Sequence, residues 1–140
     1  MRYLGLDLGS KTLGVALSDV NNIIASPLKT IYFKEGDYTF LINELEKLVR
    51  LYKVEKIILG FPKNMDNTIG PRGEQTLLFK EEIENKLGLE VVLEDERLTT
   101  KVVDDVLIKA DLSRRKRKKV VDKLAANVIL QSYLNRKEGC

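Results

Sequence analysis

Residues 56–60 read KIILG. A short, unbroken apolar run of this kind is the pattern of a strand covered on both faces, and such a strand needs helices packed above and below it. The chain supplies them. Before the run, Leu41, Leu45, Leu48 and Tyr52 recur at helical spacing, with Asp37 placed to cap the first turn. After it, Pro71 is placed to open a second helix and Gly88 to close it, with Phe79, Ile83 and Leu87 as the inward stripe. Extended stretches are predicted at 2–8, 13–19 and 23–33, and Pro27 puts the third at a sheet edge or at a break. LEVVLEDE (89–96) is a further strand. Residues 99–110 read as helical, and 120–137 as a final helix with Val121, Leu124, Val128 and Ser132 on one stripe. The order β-β-β-α-β-α-β-α-α predicts the α/β class: one domain over residues 1–140, with a mixed five-stranded sheet flanked by helices and the helix-separated strands parallel.

Composition narrows the chemistry. Histidine is absent, which excludes histidine-based triads and histidine-ligated zinc. Catalysis would rest on carboxylates, lysine, hydroxyls or a metal held by oxygen. The single cysteine, Cys140, has no disulfide partner within the chain, which fits a reducing, cytoplasmic setting. No apolar run approaches the roughly 20 residues of a membrane span, and the first residues enter a strand pattern rather than a signal peptide. The net charge of +3 is concentrated in RRKRKK at 114–119; without it, 18 basic residues face 21 acidic ones, a net of −3. Basicity this local reads as a docking surface for a polyanion, although such runs also occur simply as solvated loops.

The first strand holds the main anomaly. Leu4, Leu6 and Leu8 alternate with Gly5 and Asp7, so the leucines face one side of the sheet and Asp7 the other. A carboxylate against a sheet is costly unless a backbone amide, a cation or a metal pairs with it. Aspartate also occurs before glycine turns for turn chemistry alone. Glu94, Asp95 and Glu96 end the last strand, where Glu94 and Glu96 share a face, and each taken singly reads equally well as solvated. Asp122, read as lying in the first turn of the last helix, is favourable there against the helix dipole without further role. Taken together, these acids point elsewhere. Sites in open α/β sheets form beyond the carboxyl ends of strands. The small Ala125 and Ala126 let the last helix approach the sheet closely. Carboxylates converging from two strands and a helix repel one another unless a divalent cation sits among them, and all-oxygen ligands suit Mg²⁺ or Mn²⁺.

Four stretches carry a resemblance: GLDLGSKTLGVALSD (5–19), GFPKNMDNTIGPRGE (60–74), EDERLTT (94–100) and VDKLAANVILQSYL (121–134). In this order and spacing the chain resembles the YqgF (RuvX) family, described as Holliday junction resolvases or ribosomal-RNA precursor nucleases with a ribonuclease H-like fold. The resemblance spans essentially the whole chain. It implies that Asp7, Glu96 and Asp122 are the catalytic, metal-holding acids, and it selects Glu96 among the three strand-end acids. Lys11 falls at the family's lysine in the glycine turn, and Asn64 and Arg72 lie in the NMD…GPR loop. With Arg97 and the run Arg114, Arg115, Lys116, Arg117, Lys118 and Lys119, they form the expected nucleic-acid-binding set. Thr12 stands where many relatives have arginine, Lys63 where leucine is usual and Asn67 where glycine is usual. These departures bear on substrate contacts, not on the three carboxylates.

The implied activity is hydrolysis of phosphodiester bonds assisted by Mg²⁺ or Mn²⁺, with 5′-end processing of precursor 16S ribosomal RNA favoured over a branched DNA junction on family grounds. The expected partner is nucleic acid (structured RNA, or branched DNA), with no membrane and either a monomer or a homodimer. Two alternatives belong to other classes. One is a sugar-kinase or actin-like ATPase, whose phosphate-binding hairpin DLGSKTLGVALSD resembles. The other is a non-catalytic RNA-binding assembly factor that keeps the fold.

Overall fold

A computed structural model describes residues 2–62, 70–95 and 114–138, with the side chains of the last stretch from 124 to 136. Five strands form one sheet in the order β3-β2-β1-β4-β5. They are β1 (Arg2–Leu8), β2 (Thr12–Ser18), β3 (Ala25–Tyr32), β4 (Val54–Phe61) and β5 (Glu90–Asp95). β1, β2 and β3 are antiparallel neighbours, whereas β4 runs parallel to both β1 and β5. Among the described residues, three helices cover the sheet: α1 (Tyr38–Tyr52), α2 (Pro71–Leu87) and α3 (Arg114–Glu138). The predicted α/β class and mixed sheet are what the molecule adopts.

The two faces of the sheet are filled differently. Leu4, Leu6 and Leu8 point to the face covered by α1 and α2, where they meet Leu13, Val15, Ile57, Leu59, Leu41, Leu45, Phe79 and Ile83 in the larger core. The opposite face packs Tyr3, Ala16, Ala25 and Ile58 under Ala126, Ile129, Leu130 and Leu134 of α3. Ile57, Ile58 and Leu59 of β4 are all fully buried, as a strand sandwiched between helices requires.

Local chemistry explains the boundaries. Asp37 Oδ1 accepts from the Phe40 amide at 3.3 Å and opens α1. Pro71 stands in the first turn of α2, and Gly88, at φ 67°, ends it in the left-handed conformation. β3 is an edge strand, and its register with β2 shifts where Pro27 pairs with Ala16, so Pro27 produces both consequences expected of it. The 99–110 helix lies outside the described residues.

α3 departs from expectation in two ways. It begins at Arg114, not at 120, so the basic run is the opening of the helix rather than its approach. Its buried stripe is Ala126, Ile129, Leu130 and Leu134, while Leu124, Val128 and Ser132 are only half-buried. The reason is close approach. A Cβ on Gly5 would stand 2.6 Å from Leu130 Cβ and 2.9 Å from the Ala126 carbonyl oxygen, so glycine lets the helix settle on its small-residue side. Two further contacts fix the helix. Gln131 accepts from the Ala25 amide at 2.8 Å and donates to the Ile23 carbonyl at 2.9 Å. Lys56 donates to the Tyr133 hydroxyl at 3.3 Å and lies over the Tyr3 and Tyr133 rings. Burial works against the Lys56 charge, but the Tyr133 hydroxyl and nearby Glu90 more than offset it, and its pKa is raised.

Candidate active site

Asp7 is the penultimate residue of β1 and half-buried on the α3 face. Among the described residues, none pairs with its carboxylate by hydrogen bond or ion pair. Its surroundings explain how it fits there. Asp7 pairs across β2 with Gly14. On the other side, Leu6 pairs with Leu59, so the next step of the parallel register brings Gly60 alongside. Two glycines therefore flank the carboxylate on its own face and leave that row of the sheet without competing side chains. The signal was present as the pairs Leu13-Gly14 and Leu59-Gly60, but only the strand register shows that they bracket Asp7.

The same row continues to β5, where Gly60 pairs with Glu94. Two strand spacings, roughly 10 Å, separate Asp7 from Glu94 along the sheet. Glu94 is buried and held by Arg136: Nη1 donates to Oε1 at 2.9 Å, and Nη2 lies 2.8 Å from Oε2 without hydrogen-bond alignment. Burial raises the Glu94 pKa, and Arg136 opposes that rise only in part. Glu94 thus has a partner within the fold. This ion pair joins residues 42 apart and left no trace in sequence spacing.

The remaining predicted site residues divide into three groups. Lys11 is exposed in the turn after β1, where its carbonyl accepts from the Phe33 amide at 3.0 Å. Arg72, in the first turn of α2, donates from Nη2 to the Leu8 carbonyl at 3.4 Å, next in the chain to Asp7. Asn64, Glu96 and Arg97 lie outside the described residues, and of Arg114, Arg115, Lys116, Arg117, Lys118, Lys119 and Asp122 only the backbone, helical throughout, is described. That backbone corrects one reading. With α3 starting at Arg114, Asp122 stands in the third turn, beyond the first-turn reach of the helix dipole, which therefore does not account for it. Among the described residues, no three metal-ligating side chains form a cluster, and no helix is long and apolar enough to cross a membrane.

The architecture is that of a ribonuclease H-like fold. Two solved structures of RuvC from Thermus thermophilus are similar to it. One, in complex with a Holliday junction substrate, has a TM-score of 0.58 at 14% identity, covering 99% of this chain and 96% of that one. The other has a TM-score of 0.59 at 12% identity, covering 99% and 97%. At the sequence level, residues 1–136 match the family model RuvX, described as Holliday junction resolvase, and the chain belongs to that family. Curated relatives named "Putative pre-16S rRNA nuclease" are similar over nearly their whole length. The protein from Listeria monocytogenes serotype 4b (strain CLIP80459) is 53% identical over 135 residues, covering 96% of this chain and 98% of its own. The Bacillus subtilis (strain 168) protein is 52% identical over the same shares. Membership of this family sets aside the kinase-like alternative.

Proposed function

We propose that this chain is a single-domain, metal-dependent nuclease that hydrolyses phosphodiester bonds, acting in the cytoplasm on the 5′ end of precursor 16S ribosomal RNA. The observation that carries the reading is Asp7: a half-buried carboxylate, flanked by glycines, with no partner among the described residues. A carboxylate in that position is suited to pairing with a bound cation. The names of the relatives support the substrate.

The path of α3 supports Asp122 as a second acid. Tyr133 meets Tyr3, with ring centroids 6.1 Å apart, and Ala126 and Leu130 meet Gly5. The helix therefore advances along β1 as its numbering falls. One more step of two strand residues, roughly 6.6 Å, is about four residues of helix, which brings the level of Asp7 to within about one turn of Asp122. Glu96 follows β5 directly and completes an all-oxygen donor set. Those three acids suit Mg²⁺ or Mn²⁺, which would supply an activated water and stabilise charge on the scissile phosphate. The chain's own contribution is a rigid sheet row that holds Asp7 in place, a buried Glu94–Arg136 pair that keeps a second carboxylate of that row occupied, and cations that bind the phosphate backbone. Six of those cations open α3; the helix dipole disfavours positive charge in the first turn, and a polyanion relieves both that and the repulsion among the six.

The test is cleavage of labelled precursor ribosomal RNA and of a four-way DNA junction, in Mg²⁺, Mn²⁺ or EDTA, by wild type and Asp7→Asn. Metal-dependent cutting of the RNA, lost in the folded variant, is the expected result. Cutting of the junction alone would move the substrate to branched DNA, as the family description has it. RNA binding with no cutting by either protein would favour the assembly-factor reading.

A further inference from the structure

β1 ends beside the first turn of α2, and the junction encloses a cleft of about 200 Å³ lined by Leu8, Gly9, Ser10, Arg72 and Gln75. This is smaller than the roughly 300 Å³ at which pockets begin to enclose whole small molecules. It accommodates one group of a longer ligand. The polar side chains on its wall are a hydroxyl, a guanidinium and an amide, and no carboxylate lines it among the described residues. Such a wall selects an anion.

Arg72 is exposed, yet its Nη2 donates to the Leu8 carbonyl at 3.4 Å. A guanidinium carries five N–H donors in a planar fork, so this single long contact orients the fork and leaves most of it available. Helix α2 adds to the same preference, since Arg72 and Gln75 stand in its opening turns, where the helix dipole favours negative charge. Leu8 immediately follows Asp7, so the cleft adjoins the end of the strand that carries the candidate catalytic carboxylate.

We propose that this cleft seats a non-scissile phosphate of the strand being cut. Arg72 grips it bidentately, Ser10 and Gln75 donate to it from either side, and the grip sets the register of the strand on Asp7. The inference rests on the nuclease reading and adds Ser10 and Gln75 to the residues that position substrate. It also gives Arg72 two tasks, a tie to the β1 main chain and a contact to phosphate.

The experiment measures binding of a fluorescein-labelled RNA hairpin with a single-stranded 5′ extension, by anisotropy in EDTA, over a range of salt concentrations. The proteins are wild type, Arg72→Ala, Ser10→Ala and Gln75→Ala, each checked for its fold by circular dichroism. Arg72→Ala is expected to reduce the slope of log affinity against log salt by about 1, as loss of one phosphate contact requires. Ser10→Ala and Gln75→Ala should weaken binding several-fold with the slope unchanged, because neither carries charge. Replacing the phosphates of the extension one at a time with neutral methylphosphonate should identify one position that weakens wild type but not Arg72→Ala. A purely structural Arg72 would change thermal stability and leave slope and methylphosphonate pattern alone. That pattern, or wild-type binding by Gln75→Ala and Ser10→Ala, overturns the proposal. Because nothing is cut in EDTA, failure here is distinct from failure of the nuclease reading, which shows as absence of metal-dependent cleavage by wild type.

Discussion

The two faces of the sheet share a backbone and differ in what they carry. Under α1 and α2 the strands present leucine, isoleucine and valine, and the side chains interlock with Leu41, Leu45, Phe79 and Ile83. Under α3 a smaller apolar set, Tyr3, Ala16, Ala25 and Ile58, shares the face with Gly5 and Asp7 of β1, glycine beside Asp7 on β2, and a buried glutamate on β5. Stability is concentrated on the first face, where burial scales with apolar area. The second face gives up apolar area to keep a row with two carboxylates and few side chains between them. Chemistry has a place on a sheet only where the core does not need the positions.

Four substitutions separate the faces, from largest expected effect to smallest. Leu45→Ala, in the fully buried stripe of α1, should lower unfolding free energy by about 2–5 kcal/mol. Cleavage per folded molecule should stay within a few-fold of wild type, as denaturant unfolding and single-turnover assays together would show. Gly5→Ala should behave in reverse proportion. Its Cβ would meet Leu130 Cβ at 2.6 Å, so α3 must shift. A destabilisation of about 1–3 kcal/mol is expected, together with a loss of cleavage on the order of 10²-fold as the helix moves relative to Asp7. Equal activity at reduced stability would show that the position of α3 does not matter to the site.

Arg136→Met leaves Glu94 buried without its partner and should cost about 1–3 kcal/mol at neutral pH. Glu94→Gln is the smallest and the most diagnostic. Burial raises the Glu94 pKa, so the folded protein holds that proton more tightly than the unfolded chain does. The stability this contributes is fully present below the ordinary glutamate value of 4.5 and is lost as pH rises through the higher folded value. Glu94→Gln should therefore flatten the fall in stability above pH 4.5, measured by urea unfolding at a series of pH values. An unchanged profile would mean that Glu94 does not titrate as its burial implies.

Much of this fold was legible because its signals are local. KIILG declared a doubly covered strand, Asp37, Pro71 and Gly88 marked helix ends, and Pro27 marked an edge. Asp7 was legible as an anomaly because alternation along β1 is strict. What escaped is what depends on register between distant segments. The stripe on α3 could not be chosen from sequence because Leu124 and Val128 make an apolar alternative, and only the contact of Ala126 and Leu130 with Gly5 decides between them. The Glu94–Arg136 pair follows from how α3 lies on β5, and the glycines bracketing Asp7 from strand order.

Asp7 has no partner among the described residues, and the role proposed for it is to hold a cation rather than to support the fold. That role is tested most directly by the thermal stability of wild type and Asp7→Asn, each in EDTA and in Mn²⁺. In EDTA the variant should be at least as stable as wild type, because a half-buried carboxylate has been neutralised. In Mn²⁺ wild type alone should gain, by about 2.7 kcal/mol at a concentration one hundredfold above Kd. A variant that is less stable in EDTA and gains as much as wild type from Mn²⁺ would make Asp7 a structural residue and place the metal elsewhere.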